Sequence, residues 1–142
     1  MTTARTLTLM LALLPAALAA ADRHSGPQLP DRLSRIDSAA LTRAAMRAEL
    51  QPAYRRRPVA LDFEGAQTNP HFHFWTVIPT WGQGVYHFAV DRRTGEVWTY
   101  FGCKPARSTE LAALQEKFRR RFNISRLQVR KVEREGFPGT PC

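Results

Sequence analysis

At 142 residues, with 44% hydrophobic and 23% charged residues, the chain is one domain's worth of sequence without internal repeats or low-complexity segments. Its formal net charge of +9 is carried by arginine, 18 of the 21 basic residues, which fits either a solvated basic surface or one built for carboxylates and phosphates. Two cysteines with no close Cys or His pair beside them exclude a four-ligand zinc site of their own.

The chain begins with a targeting pattern. Arg5 precedes the apolar stretch Leu7 to Leu14, and Ala17-Leu18-Ala19 or Ala19-Ala20-Ala21 offers small residues to a signal peptidase. A membrane span needs about 20 unbroken apolar residues, and Pro15 interrupts this one. The expectation is a cleavable signal peptide over residues 1–21, export to the periplasm or beyond, and no integral membrane segment. Residues 22–33, polar with Gly26, Pro27 and Pro30, read as a flexible N-terminal arm, and 34–142 as a single α+β domain.

Ser34 or Asp37 can cap a helix running to about Leu50, with Ile36, Ala40, Ala44 and Ala48 on one stripe and Leu41, Ala45 and Met46 beside it. Pro52 and Arg55-Arg56-Arg57-Pro58 end it. Val59 to Glu64 alternates and predicts a short edge strand, whose Asp62 and Glu64 are either a carboxylate pair or an ordinary solvated guard of the edge.

Three aromatic-rich runs follow. His71 to Ile78, Val85 to Val90 and Glu96 to Phe101 are dense in aromatic and β-branched residues and separated by turn residues, so they predict an antiparallel meander. In the first run Phe72, Phe74, Thr76 and Ile78 share one face and His71, His73, Trp75 and Val77 the other, and the first face is the better core candidate. The turn Asp91-Arg92-Arg93-Thr94-Gly95 joins the second and third runs, Asp91 starting it and Gly95 closing it with positive φ.

Ser108 is placed to cap a second helix, with Glu110 in its first turn, Leu111, Leu114, Phe118 and Phe122 at helical spacing, and Arg119-Arg120-Arg121 at its end. Residues 124–135 are open between strand and helix; Leu127 and Val129 alternate with Arg126, Gln128 and Arg130, which slightly favours a strand. The expected core is Phe72, Phe74, Ile78, Phe88, Val90, Leu111, Leu114 and Phe118. In an oxidising compartment Cys103 and Cys142 are expected to pair, tying the tail to the sheet, worth roughly 4 kcal/mol on the chain-entropy view.

Candidate chemistry is sparse. His71 and His73 project from one face and His87 can approach from the next strand, a weak transition-metal constellation that competes with plain cross-strand packing. Cys103 beside Lys104 is a thiolate candidate, against which Cys142 argues for a bridge. There is no nucleophile elbow, phosphate loop or zinc-protease helix, so the chain is expected not to be an enzyme and to need no cofactor.

The stretch Phe88-Ala89-Val90-Asp91-Arg92-Arg93-Thr94-Gly95-Glu96-Val97 resembles the hairpin of PepSY-type domains, where an Asp, a Thr-Gly and an acidic residue shape the turn. The order of helix and strands is similar to the cystatin-like architecture of small periplasmic proteins, including some bacteriocin immunity proteins. The resemblance implies an antiparallel meander of three or four strands packed with two helices, and binding or inhibition rather than catalysis.

Three functional expectations follow. The first is a periplasmic protein-binding module, an immunity protein or inhibitor that neutralises a toxin or hydrolase. Its partner surface would be Trp75, Trp81, Tyr86 and Trp98 with Arg55, Arg56, Arg57, Arg119, Arg120 and Arg121. The second is a basic envelope protein that holds anionic lipid or polymer through the two arginine triplets. The third is metal binding through His71, His73 and His87. Export disfavours nucleic acid as a partner.

Overall fold

A computed structural model describes residues 29–50, 55–65, 69–81, 84–99 and 103–135. The expected signal peptide over residues 1–21, Gly82 and Gln83, Tyr100, Phe101 and the terminal Cys142 lie outside the described residues.

The order of elements is α1 (Arg35–Glu49), β1 (Val59–Gly65), β2 (Phe72–Pro79), β3 (Tyr86–Asp91), β4 (Val97–Thr99), β5 (Lys104–Pro105), α2 (Thr109–Arg121) and α3 (Arg126–Glu135). The strands form one five-stranded antiparallel sheet in sequence order, an uninterrupted meander. The α+β class, the edge strand β1, three aromatic strands and two flanking helices agree with the sequence. The very short β5 was not anticipated.

Capping explains where the helices start. The Ser34 hydroxyl accepts from the Asp37 amide at 3.1 Å, and that of Ser108 accepts from the Leu111 amide at 3.1 Å. Helix α2 ends where Asn123 takes a left-handed conformation, φ 52°, and the Ile124 amide closes back on the Arg119 carbonyl at 2.9 Å.

The strand slightly favoured in 124–135 is instead α3, and a reciprocal cap explains why. The Gln128 amide donates to the Ser125 hydroxyl at 3.2 Å while the Gln128 side-chain oxygen accepts from the Ser125 amide at 2.8 Å. Val129 and Val132, three apart, are buried while Leu127, which suggested the alternation, is exposed.

Helix α1 lies on β2, β3 and β4 and against α2. The face it covers is not the one expected. Register places Phe63 opposite Trp75, Trp75 opposite Phe88, and Val90 opposite both His73 and Val97, so Leu61, Phe63, Trp75, Val77, Phe88, Val90 and Val97 share one face. These residues pack with Leu41, Ala45 and Met46 of α1 and Leu111 and Phe118 of α2.

The opposite face carries Phe72, Phe74, Ala89 and Trp98 as a smaller buried cluster, and Ile78, expected in the core, is 44% exposed. Across the register this second face also collects Asp62, Thr76 and His87, which makes it the poorer partner for a helix layer. Leu114 is only half-buried. The stripe of α1 is rotated too: Ser38, Leu41, Thr42, Ala45 and Met46 turn inward and Ile36 is 82% exposed.

Gly95 closes the β3–β4 turn with φ 75°, and a Cβ there would lie 3.0 Å from Phe118 Cδ1 and 3.4 Å from Leu41 Cδ1. Strain and crowding therefore coincide where α1 and α2 meet the turn. Gly95→Ala is expected to destabilise the fold by about 2 kcal/mol, read as a lower urea midpoint at unchanged m-value.

Candidate functional site

The turn from Asp91 to Glu96 is heavily bonded. The Asp91 carboxylate is fully buried and accepts from the amides of Arg93 at 2.8 Å and Thr94 at 3.1 Å, and from the Arg93 guanidinium at 2.7 Å. Arg93 reaches on to Glu135 of α3 at 2.9 Å. Burial alone would lower the Arg93 pKa, but its bonds to Asp91 and Glu135 outweigh that and raise it above its ordinary value.

Glu96, 1% exposed, is held by Arg119 of α2 and by Arg107, the latter at 2.7 Å. Arg107 also donates to Glu133 at 2.8 Å. The Gln115 side chain donates to the Gly95 carbonyl at 3.0 Å, and the amides of Arg32 and Leu33 both donate to the Arg92 carbonyl at 2.9 Å. Residues 31–33, read from sequence as part of the arm, are thus held against the turn, with Leu33 buried and Asp31 accepting from Arg92 at 3.2 Å.

The aromatic partner surface needs correction. Trp75 is buried in the core with its indole donating to the Ser38 hydroxyl at 2.6 Å, and Trp98 is buried in the second cluster, so neither is available to a partner. Trp81 and Tyr86 are half-buried against the main core, with the Arg57 guanidinium 6.0 Å from the Trp81 ring.

The histidines are not brought together. His73 points into the helix-covered face, edge-on to Phe63 at 5.2 Å, whereas His87 is on the opposite face, its Nδ1 3.1 Å from Thr76 Oγ1 and 3.3 Å from Glu64 Oε1. His71 Nδ1 meets Asp31 Oδ1 at 2.9 Å. Among the described residues no group of three His, Cys, Asp or Glu side chains is placed to hold a metal. Strand pleating is the reason: Thr76 pairs with His87 and Val90 with His73.

The two arginine triplets have different fates. Arg119 is taken up by Glu96, and Arg121 donates to Asp37 at 2.7 Å while lying 4.5 Å from the Phe122 ring. Burial raises the Asp37 pKa, but the bonds from Arg121 and Ser34 outweigh it and leave that carboxyl below its ordinary value. Arg120 faces solvent near Glu116 at 3.6 Å. The 119–121 triplet therefore chiefly ties α2 to its neighbours.

Arg55, Arg56 and Arg57 are exposed. Arg55 and Arg56 line a groove of about 750 Å³ with Arg47 of α1, Arg107, and Ser108 and Thr109 at the start of α2, Ala44 and Ala48 being its apolar part. Arg47 and Arg56 also line a second hollow of about 310 Å³, shared with Arg43 and Arg57. In the sequence this hollow is signalled by Arg43 and Arg47, one turn apart on the exposed side of α1.

Glu96 and His73 give two predictions. Glu96→Gln removes the charge that compensates Arg119 and is expected to cost about 3 kcal/mol, whereas Arg107→Ala, on a half-exposed side chain, should cost roughly 1 kcal/mol; urea denaturation reads both. Burial lowers the His73 pKa from its ordinary 6.5, with Arg92 and Arg35 adding to the effect and Asp31 opposing it. The unfolded chain then binds the proton first, so this stability is complete above about pH 6.5 and is lost as pH falls towards the folded value. In thermal melts the parent's Tm is expected to fall relative to that of His73→Phe between pH 7.5 and pH 5; an unchanged difference would show that His73 does not titrate differently in the folded chain.

No family model matches the chain, and the PepSY-type and cystatin-like resemblance is not confirmed. No curated protein matches it either. Among solved structures the chain is similar to a chain of a type VI secretion system effector-immunity complex from Pseudomonas protegens, at 23% identity and a TM-score of 0.54, over 77% of this chain and 96% of that one. That likeness shows a shared fold.

Proposed function

We propose that this chain is an immunity-type protein, exported by its N-terminal segment, that binds and neutralises a protein toxin or hydrolase in the periplasm. The observation that carries the reading is the fold shared with a chain of an effector-immunity complex over nearly that chain's whole length. Support comes from the dense bonding of the Asp91–Glu96 turn and from two arginine-lined hollows, the smaller of which shares Arg57 with the half-buried Trp81 ring. Such a surface recognises a partner by shape and charge without catalytic groups of its own. Among the described residues no helix is long and apolar enough to cross a membrane.

The Cys103–Cys142 bridge belongs to this proposal, because an exported chain meets an oxidising compartment. Tagged protein recovered from periplasm is expected to carry one stoichiometric protein partner, to restore growth to cells expressing that partner, and to show a linked 103–142 peptide pair in non-reducing mass spectrometry. Recovery without a stoichiometric protein, together with release from anionic vesicles by moderate salt, would move the reading to a basic envelope protein. Both thiols alkylatable in periplasmic protein would remove the bridge.

A further inference from the structure

The acidic residues of this protein are largely spent on internal pairs. Asp31, Asp37, Glu64, Asp91, Glu96, Glu110, Glu116, Glu133 and Glu135 all meet a basic side chain. In the groove between the end of α1, residues 55–57 and the start of α2 that supply runs short: Glu110 meets Arg47, and Glu96 and Glu133 meet Arg107, but no carboxylate among the described residues meets Arg55 or Arg56. Arg43, Arg55 and Arg56 make no ion pair among the described residues, and Arg55 is oriented by a bond from its Nε to the Leu50 carbonyl at 3.3 Å.

The groove's own walls show what these guanidinium groups take. Arg47 pairs there with the Glu110 carboxylate, and Arg107 is held between the carboxylates of Glu96 and Glu133. We infer that the groove lined by Arg47, Arg55, Arg56 and Arg107 is the docking site for an acidic segment of a protein partner, whose Asp and Glu side chains pair with Arg55 and Arg56. Arginine presents a planar fork that matches a carboxylate in two bonds. The cations line a hollow with Ala44 and Ala48 rather than a convex face, so a strand or loop can enter where a flat bilayer does not reach. The partner's place as a neutralised effector rests on the function proposed above; the chemistry of the groove does not.

The probe is a fluorescent octaglutamate peptide titrated with the purified full chain by anisotropy, at about 50 mM and about 300 mM NaCl. The control changes charge equally elsewhere: Arg126 and Arg130 are exposed on α3, away from the groove. R55E/R56E is expected to weaken peptide binding about tenfold and R126E/R130E by no more than about twofold. Equal losses in the two variants would overturn the inference, since net charge alone would then explain the binding. Should R55E/R56E lose its native circular dichroism, R55Q/R56Q is expected to weaken binding about threefold, and no change would overturn it.

Vesicles of one part phosphatidylglycerol to two of phosphatidylcholine, and a duplex DNA oligonucleotide, are titrated in parallel. Either one bound more tightly than the peptide, and lost with Arg55 and Arg56, would give the groove to a lipid or nucleic-acid surface and overturn the inference. A protein partner whose affinity ignores R55E/R56E would overturn it while leaving the immunity reading intact. Groove-dependent peptide binding without any neutralised partner would support it while that reading failed.

Discussion

Two carboxylates, Asp91 and Glu96, are buried at either end of the β3–β4 turn, and a buried charge costs several kcal/mol unless its partners are fixed. That constraint organises the molecule. Asp91 requires Arg93, which draws in Glu135 of α3; Glu96 requires Arg119 of α2 and Arg107, which draws in Glu133. The turn backbone is also claimed by Arg32 and Leu33 and by Gln115. A replacement by apolar residues could be as stable, but it would not fix one arrangement of α2 and α3 around the turn in the way that paired, directional groups do.

The same pairing shapes the surface. Because so many acids are used inside the domain or on its seams, the positive charge is left unevenly distributed rather than neutralised in place. Arg119 and Arg121 look equivalent to Arg55 and Arg56 in a list of basic residues, yet the first two are bonded to Glu96 and Asp37 and the others line an open groove. Steric and electrostatic context, not composition, separates a structural arginine from one offered to a partner.

Local signals were legible in the sequence and cross-strand ones were not. Ser34, Ser108, the Asp91–Gly95 turn and the aromatic strands are encoded within a few residues, and they appear where local propensity puts them. The choice of sheet face depends on register. Read alone, β2 favours the Phe72–Phe74 side, and only the pairing of Trp75 with Phe63 and Phe88 shows where the larger apolar surface accumulates. In 124–135 the alternation over Arg126–Arg130 points towards a strand, while the Ser125–Gln128 pair caps a helix, and the cap prevails because Val129 and Val132 are the residues buried. The groove needs Arg47, Arg56 and Arg107 from three separate segments, a juxtaposition that no linear spacing contains.

Of the aromatic residues expected at a partner surface, Trp75 and Trp98 turn inward while Trp81 and Tyr86 are half-buried, and Arg57 connects Trp81 to the basic hollows by lying near its ring while lining the same hollow as Arg47 and Arg56. A surface continuous from Arg107 through Arg56 and Arg57 to Trp81 would combine two physical roles. Rim arginines steer an acidic partner and fix its orientation, contributing mainly to association rate and salt dependence. A partly buried Trp with its own cation neighbour supplies area that is lost only when the complex dissociates. In such an arrangement the groove selects the partner and the aromatic turn retains it, so the two halves of the surface should fail in kinetically different ways when either is altered.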